Sequence, residues 1–248
     1  MAKTVQSVER ALKLLEVISE NQIPLTVPQM AKQAGVNRAT AWRLLNTLEL
    51  FDLIQKDSVT NEYTISLGIW RIAQNTNLNQ LIRKAKPILE KIVKITEGTA
   101  FLEISSKNKL VVLDECKSKK FIQVDLLGVE VPLHCGSVGK LFLSSLDDTE
   151  LNLYMKNKLE SYTPYTITDK NKLKKEIEKI RDKSISFNYK EHDEQWCGIT
   201  SVVKNTNGNH FAYINLTLPT YSTSEKKLHS YSNLMKSASQ ELEKKLFN

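Results

Sequence analysis

The stretch that decides the fold is residues 27–50, VPQMAKQAGVNRATAWRLLNTLEL. Its first part repeats small and apolar side chains at helical spacing, and Gly35 follows where a helix end needs a left-handed backbone. Asn37 suits the N-cap of a second helix, because its side chain can accept a backbone N–H. The second helix then carries one apolar stripe, at Ala41, Leu44, Leu45 and Leu48. A helix pair of this kind with a polar outer face is typical of a helix-turn-helix that enters a DNA groove.

The polar face supplies the side chains that DNA recognition requires, since Arg can pair with guanine and Asn with adenine in the major groove. Alternating runs at 53–57 and 62–65 flank polar residues 58–61, which predicts a β-hairpin, the wing of a winged helix-turn-helix. The alternatives are a solvated helix face and a hairpin that only caps the helices. The candidate DNA-binding residues are Thr26, Asn37, Arg38, Ala39, Thr40, Trp42, Arg43, Asn46 and Lys56.

The overall charge gives only weak support to a polyanion partner. The chain of 248 residues has a net charge of +7, which fits a nucleic-acid-binding protein. Residues 1–76, however, contain eight basic and seven acidic residues. Six of the seven surplus positive charges therefore lie outside the predicted DNA-binding module. The placement of Arg38, Arg43 and Lys56 matters more than the net charge.

The composition also excludes several classes of protein. No apolar run reaches the length of about 18 residues that a membrane helix needs, and the charged N-terminus predicts an amphipathic helix rather than a signal peptide. Three cysteines, an odd and sparse set, favour the reducing cytoplasm over a disulfide framework. We expect a cytoplasmic protein with no membrane contact, no cofactor and no resident metal.

The periodicity along the rest of the chain predicts three parts. Residues 1–76 form the DNA-binding domain, beginning with a helix over 5–20 whose stripe is Val8, Ala11, Leu12, Leu15 and Ile18. Residues 77–96 form an amphipathic linker helix, in which Pro87 predicts a kink or a late start. Residues 97–248 mix helices with short strand-like runs, including 121–126, and close with one helix over 223–246, which indicates an α+β domain.

The chain as a whole resembles the IclR-type (isocitrate lyase regulator) family of bacterial transcriptional regulators. The resemblance is carried by five segments in order: VQSVERALKLLEVI, TVPQMAKQAGVNRATAWRLLNTLE, NEYTISLGI, VEVPLHCGSVGKLFLS and CGITSVVKN…FAYINLTLP. It implies a winged helix-turn-helix, a linker helix and a GAF/PAS-like effector-binding domain. It also implies a homodimer or homotetramer on a double-stranded operator. The expected function is therefore that of a sequence-specific regulator, in particular a repressor, and not of an enzyme.

The second candidate site surrounds the start of the helix predicted over 133–146. Backbone N–H groups at a helix N-terminus suit an anion, and the resemblance makes this region a wall of the effector pocket, so a small carboxylate-bearing metabolite is the expected ligand. The candidate effector-binding residues are Leu126, Leu127, Gly136, Ser137, Val138, Gly139, Phe142, Glu191, Asp193, Ser201, Asn215 and Thr217.

Two other interpretations of this region stay open at the level of sequence. Cys135 beside His134 at a helix start could be an enzyme nucleophile, because such a position lowers a thiol pKa. His134, Cys135, His192 and Cys197 could bind zinc, although they lack the compact spacing of a structural site. The alternative function is therefore a metabolite-binding protein or cysteine-dependent enzyme with an accessory winged-helix module.

Overall fold

A computed structural model describes residues 4–21, 23–73, 77–106, 109–120 and 131–247. The chain divides into two compact units, Met1–Asn79 and Gln80–Asn248. Each unit has its own hydrophobic core. Across the described ranges, every helix is too short or too polar to cross a membrane.

The first unit is a winged helix-turn-helix. Its helices are α1 (Gln6–Glu20), α2 (Val27–Gln33), α3 (Arg38–Leu50) and α4 (Leu67–Ala73). The antiparallel strands β1 (Ile54–Lys56) and β2 (Tyr63–Ile65) form the predicted hairpin, and Leu25 adds an antiparallel bridge to Tyr63. The predicted fold of this unit is therefore confirmed.

The buried face of α1 differs from the predicted stripe. Leu14 and Ile18 enter the core, whereas Val8 and Leu12 are each 54% exposed. Ala11 and Leu15 lie at the edge of the core, between the two sets. The apolar residues of α1 wrap around most of the helix, so spacing alone did not identify the face that packs against α3.

The second unit is built on a five-stranded antiparallel sheet with helices on both faces. Its elements in chain order are α5 (Asn77–Thr96), β3 (Thr99–Ser106), β4 (Lys109–Lys117), α6 (Ser137–Leu143), α7 (Asp148–Tyr154), α8 (Lys170–Lys183), β5 (Ile185–Tyr189), β6 (Trp196–Lys204), β7 (His210–Pro219), α9 (Glu225–Ser230) and α10 (Ser232–Phe247). The spatial order of the strands is β4-β3-β7-β6-β5. This arrangement confirms the predicted α+β class.

The two faces of the sheet bury different cores. On one face, α5 and α10 pack on Ala100, Leu102, Ile199 and their neighbours. On the other face, α6, α7 and α8 pack around Val202 and Tyr213. Since successive side chains of a strand point to opposite faces, the register of the sheet decides which residues meet α6.

The helix predicted as a separate linker belongs to the first of these cores. Leu81, Ala85, Ile88 and Leu89 of α5 are almost completely buried against the sheet. The helix begins at Asn77 and continues through Pro87. Of the two predicted effects of Pro87, the late start was therefore wrong, and the kink stays a prediction.

Two other predicted helices have different lengths in the structure. The pattern over 133–146 yields only α6, because Gly136 has extended backbone angles and the hydroxyls of Ser144 and Ser145 donate to carbonyls of the last turn. The closing helix is divided at Tyr231, where the Ser232 hydroxyl donates to the carbonyl of His229. The strand predicted over 121–126 lies outside the described residues.

Candidate functional site

The turn between α2 and α3 has the geometry that the sequence predicts. Gly35 has φ +67°, the left-handed conformation that favours glycine. The N–H of Val36 donates to the carbonyl of Ala31 (2.9 Å), which closes the end of α2. Asn37 caps α3, since its Oδ1 accepts the N–H of Thr40 at 2.8 Å. These local contacts fix the angle at which α3 is presented.

The outer face of α3 carries exposed side chains. Arg38, Ala39 and Arg43 are exposed, and Trp42 is 55% exposed. With Val27 they line a shallow surface depression. The two guanidinium groups are therefore available to base edges or phosphates, and the indole offers an apolar surface beside them.

Two other candidates on this unit, Asn37 and Thr26, have side-chain hydrogen-bond partners within the protein. The Oδ1 of Asn37 is used for the cap, so that atom is not available to a base. The hydroxyl and N–H of Thr26 both donate to Gln29 Oε1, at 2.6 and 2.8 Å, in a capping box. Thr40 and Asn46 are half-buried beside the exposed face.

The wing carries its candidate cation on an exposed strand. Lys56 ends β1, and its Nζ lies 5.9 Å from the centre of the Tyr63 ring. Asp57 orders the following turn, because its Oδ1 accepts the N–H groups of Val59 and Thr60, each at 2.8 Å. Backbone hydrogen bonds from these two residues hold the pKa of Asp57 below its ordinary value. The wing is thus a hydrogen-bonded turn that follows a strand ending in the cation Lys56.

The second unit contains a cavity of about 670 Å³ between the sheet and the start of α6. Six of the predicted effector-binding residues line it: Gly136, Ser137, Val138, Asp193, Asn215 and Thr217. Other lining residues include Glu103, Lys109, Tyr162, His192, Trp196 and Gly198. The volume suits a small organic molecule.

A buried polar network lies beside this cavity. Ser137 Oγ and Thr200 Oγ1 are 2.8 Å apart, and Thr200 Oγ1 donates to Asn215 Oδ1 at 3.2 Å. The Nδ2 of Asn215 donates to Glu103 Oε1 at 2.9 Å. Burial raises the pKa of Glu103 to about 7, against the lowering effect of the Asn215 amide. The carboxyl group can therefore change its charge near neutral pH.

Sequence reasoning did not identify Glu103 or Thr200. Glu103 pairs with Tyr213 in the register of β3 and β7, and Thr200 pairs with Asn215 in that of β6 and β7. These pairings place both side chains on the face that meets α6. A polar residue inside the apolar run TAFLEIS was the only available signal.

Four predicted effector-binding residues lie elsewhere. Ser201 follows Thr200, so its side chain points to the opposite face, where its hydroxyl donates to the carbonyl of Met235. Phe142 is buried in the core between α6 and α8. A Cβ on Gly139 would lie 2.5 Å from Leu133 Cα, so this glycine permits close packing.

The fourth residue, Glu191, forms a buried ion pair with Lys140 at 2.5 Å. Burial raises the pKa of Glu191 in spite of the lysine. Its carboxylate therefore pairs with a side chain of α6 and is not among the groups that line the cavity. Leu126 and Leu127 lie outside the described residues.

The cysteines and histidines of this region do not have the environment of a nucleophile. Cys135 is buried, its Sγ donates to the carbonyl of Pro132, and burial raises the pKa of the thiol to about 12. Burial has the same effect on Cys197. His134 Nε2 lies 2.9 Å from the carbonyl oxygen of Glu160. In the described parts of the chain, no three His, Cys, Asp or Glu residues are grouped as metal ligands.

A winged helix-turn-helix with an exposed basic helix, joined in one chain to an α+β unit with a cavity, defines the class of DNA-binding regulators with a sensor domain. Comparison with known families agrees. The IclR helix-turn-helix domain matches residues 7–58, and the bacterial transcriptional regulator IclR C-terminal domain matches residues 73–244. The chain belongs to the IclR family, whose members are transcriptional regulators and not enzymes.

Individual relatives are distant but match nearly end to end. The HTH-type transcriptional repressor AllR of Escherichia coli (strain K12) is 23% identical over 243 residues, which cover 97% of this chain and 90% of AllR. The acetate operon repressor of Salmonella typhimurium is 25% identical over 223 residues, covering 87% and 80% of the two chains.

Solved structures share the fold at similarly low sequence identity. An IclR transcriptional regulator from Alicyclobacillus acidocaldarius has a TM-score of 0.83 and 20% identity, with coverage of 98% of this chain and 100% of the other. An IclR homolog from Microbacterium hydrocarbonoxydans, solved in complex with 4-hydroxybenzoate, has a TM-score of 0.85 and 16% identity, with coverage of 97% and 98%.

Proposed function

We propose that this regulator is a repressor that binds a palindromic operator as a homodimer or a pair of dimers, and that a small carboxylate-bearing molecule in the cavity of the second unit changes its affinity for DNA. The cavity of about 670 Å³ in a chain that also carries an exposed recognition helix is the observation that carries the proposal. Two relatives named as repressors support repression rather than activation.

Arg38 and Arg43 are the side chains that we assign to DNA recognition on α3, with Lys56 assigned to phosphate on the wing. All three are exposed. An Arg that pairs with both acceptors of guanine contributes roughly 1–3 kcal/mol of base discrimination, whereas a phosphate contact adds affinity without sequence preference. The first unit is nearly neutral in sequence, so two copies on one operator would supply the affinity that one copy lacks.

The exposed side of α1 supports the homodimer. Val5, Val8 and Leu12 are 64%, 54% and 54% exposed. They follow each other at helical spacing, so they form an apolar strip along the first turns of α1. A second copy of the strip would cover it with a surface of the same chemistry, as the two-fold symmetry of a dimer requires.

The effector part of the proposal is supported by the position of the polar groups around the cavity. Ser137, Asn215 and Thr217 place hydroxyl and amide groups on one side. The Microbacterium homolog holds 4-hydroxybenzoate, a carboxylate of suitable size. A ligand that binds one arrangement of the dimer better than another would shift the population between them, and with it the spacing of the two α3 helices.

The experiment that tests this function is a selection of genomic fragments bound by the full-length protein, repeated with pools of small carboxylates. We expect fragments with two half-sites separated by about one helical turn of DNA (~34 Å), and release of these fragments by one pool. Binding with no sequence preference would refute the regulator's specificity. Operator affinity that no metabolite changes would refute the effector part alone.

A further inference from the structure

Glu103 is a buried acidic residue of the cavity. It is 5% exposed and lines the cavity on the face of β3 that meets α6. A carboxylate can accept about four hydrogen bonds. Within the ranges that the structure describes, Asn215 Nδ2 is its one hydrogen-bond donor, and no Lys, Arg or His forms an ion pair with it.

A buried carboxylate in this state is costly, because removing a charge from water is unfavourable unless the charge is paired and hydrogen-bonded. Phe101 on the same strand face and Tyr213 on the paired strand are buried neighbours that bring no charge. Elsewhere in this unit, the chain pairs a buried carboxylate with a buried cation, as Glu191 with Lys140 shows. The cavity beside Glu103 is therefore the place from which a further donor can come.

We propose that Glu103 selects the ligand of this cavity by accepting a hydrogen bond from a hydroxyl, amide or ammonium group that the ligand carries in addition to its carboxylate. The inference rests on the proposed effector function and adds to it the chemical class of the ligand, a small hydroxy- or amino-carboxylic acid. Asn215 holds the Glu103 carboxyl in place, and its own Oδ1 is held by the Thr200 hydroxyl.

A simple carboxylic acid would leave Glu103 without a further hydrogen-bond donor. Its own carboxylate would share the cavity with two acidic side chains, Glu103 and Asp193, and with the cationic Lys109. A ligand with a donor at the far end meets Glu103 with an attractive contact instead of a repulsive one. A hydrogen bond to a charged group contributes enough to change affinity about ten-fold or more.

The test uses pairs of probes that differ only in the donor, with the full-length protein. The pairs are 4-hydroxybenzoate with benzoate, 4-(aminomethyl)benzoate with 4-methylbenzoate, and 4-hydroxybutyrate with butyrate. Binding is measured by calorimetry for the wild type, Glu103→Gln and Glu115→Gln. Glu115 is the matched control, since it lies on β4, pairs with Lys117 at 2.6 Å and does not line the cavity.

In the wild type and in Glu115→Gln, we expect at least one donor probe to bind about ten-fold or more tightly than its partner. In Glu103→Gln, the two members of that pair should differ less than three-fold, because the amide is uncharged and offers its own donor. A ratio that Glu103→Gln leaves unchanged, or equal binding within every pair in the wild type, overturns the inference but leaves effector binding intact. Failure of every probe and every metabolite pool to bind overturns the effector part of the proposed function and this inference together.

A second measurement uses the wild type and so does not require any variant to fold. In a crystal structure of the wild type with the tightest donor probe, the donor atom should lie within hydrogen-bond distance, ~3.2 Å, of a Glu103 oxygen. A donor atom that faces another residue would overturn the inference whatever the affinities are.

Discussion

Replacing Glu103 with Gln should remove a pH-dependent loss of stability from the second unit. Burial raises the pKa of Glu103 from 4.5 to about 7 in the folded chain. Between these two values the folded state keeps a proton that the unfolded state has lost, so the free energy of unfolding falls as the pH rises. Gln retains the acceptor for Asn215 Nδ2 but cannot ionise.

The size of the effect follows from the shift. Each pKa unit corresponds to about 1.4 kcal/mol, so the contribution of Glu103 to the free energy of unfolding changes by about 3 kcal/mol in all. Between about 2 and 3 kcal/mol of this change takes place from pH 5 to pH 8. The wild-type stability minus that of Glu103→Gln should decline by this amount over the interval. The decline is complete only above the folded pKa, near pH 8.

His210 also makes the stability of the wild type depend on pH, so the wild type and Glu103→Gln have to be compared at each pH. Burial lowers its pKa from 6.5 to about 4, so its contribution to stability is present above pH 6.5 and is lost as the pH falls towards 4. This trend opposes that of Glu103 and flattens the wild-type curve. In a His210→Asn background the fall due to Glu103 should be visible directly.

The assay is urea denaturation followed by the fluorescence of Trp196, which lies beside the cavity, in a chain whose Trp42 and Trp70 are replaced by Phe. Stabilities are compared at each half pH unit from pH 5 to pH 8. A difference between wild type and Glu103→Gln that stays constant over this interval would show that Glu103 does not bind a proton in the folded state, and would refute the reasoning.

Four other substitutions test the remaining contacts. Arg43→Ala should weaken specific operator binding by roughly 1–3 kcal/mol in a gel-shift titration and relax base preference at one position of each half-site; intact specificity would mean that α3 is misassigned. Gly35→Ala should lower the free energy of unfolding of the first unit by about 1 kcal/mol, from the left-handed backbone alone, since nothing lies within 4 Å of the added methyl. Gly139→Ala should cost more than Gly35→Ala in the same denaturation assay, because its methyl would meet the backbone of residue 133 at 2.5 Å; equal costs would contradict the packing of α6. Lys140→Met should cost roughly 3–5 kcal/mol by leaving Glu191 buried without its cation, and the added change Glu191→Leu should recover most of the loss; no recovery would show that the pair does not act as a unit.

Local chemistry in the sequence determined the DNA-binding unit almost completely. Gly35, Asn37 and the stripe from Ala41 to Leu48 each depend on neighbours within one or two helical turns, and the structure has the turn, the cap and the buried face as predicted. The exception is on α1, where Leu14 is buried in place of Leu12. The position of α3 decides which face of α1 is buried, and that position is not a local property of the sequence. Helical periodicity likewise predicted α5, but not that it would join the core of the sheet.

The candidate effector site depended on contacts between residues far apart in the chain. Asn215 meets Glu103 across 112 positions, and Ser137 meets Thr200 across 63. A strand has two faces that differ by a single residue in register, so the sequence could propose Ser201 but only the paired sheet shows that Thr200 faces α6. Sequence by itself determined the class of protein and the helix-turn-helix, because those signals are local. Only the tertiary structure brought a buried carboxylate to the wall of the cavity, because that position is set by strand pairing.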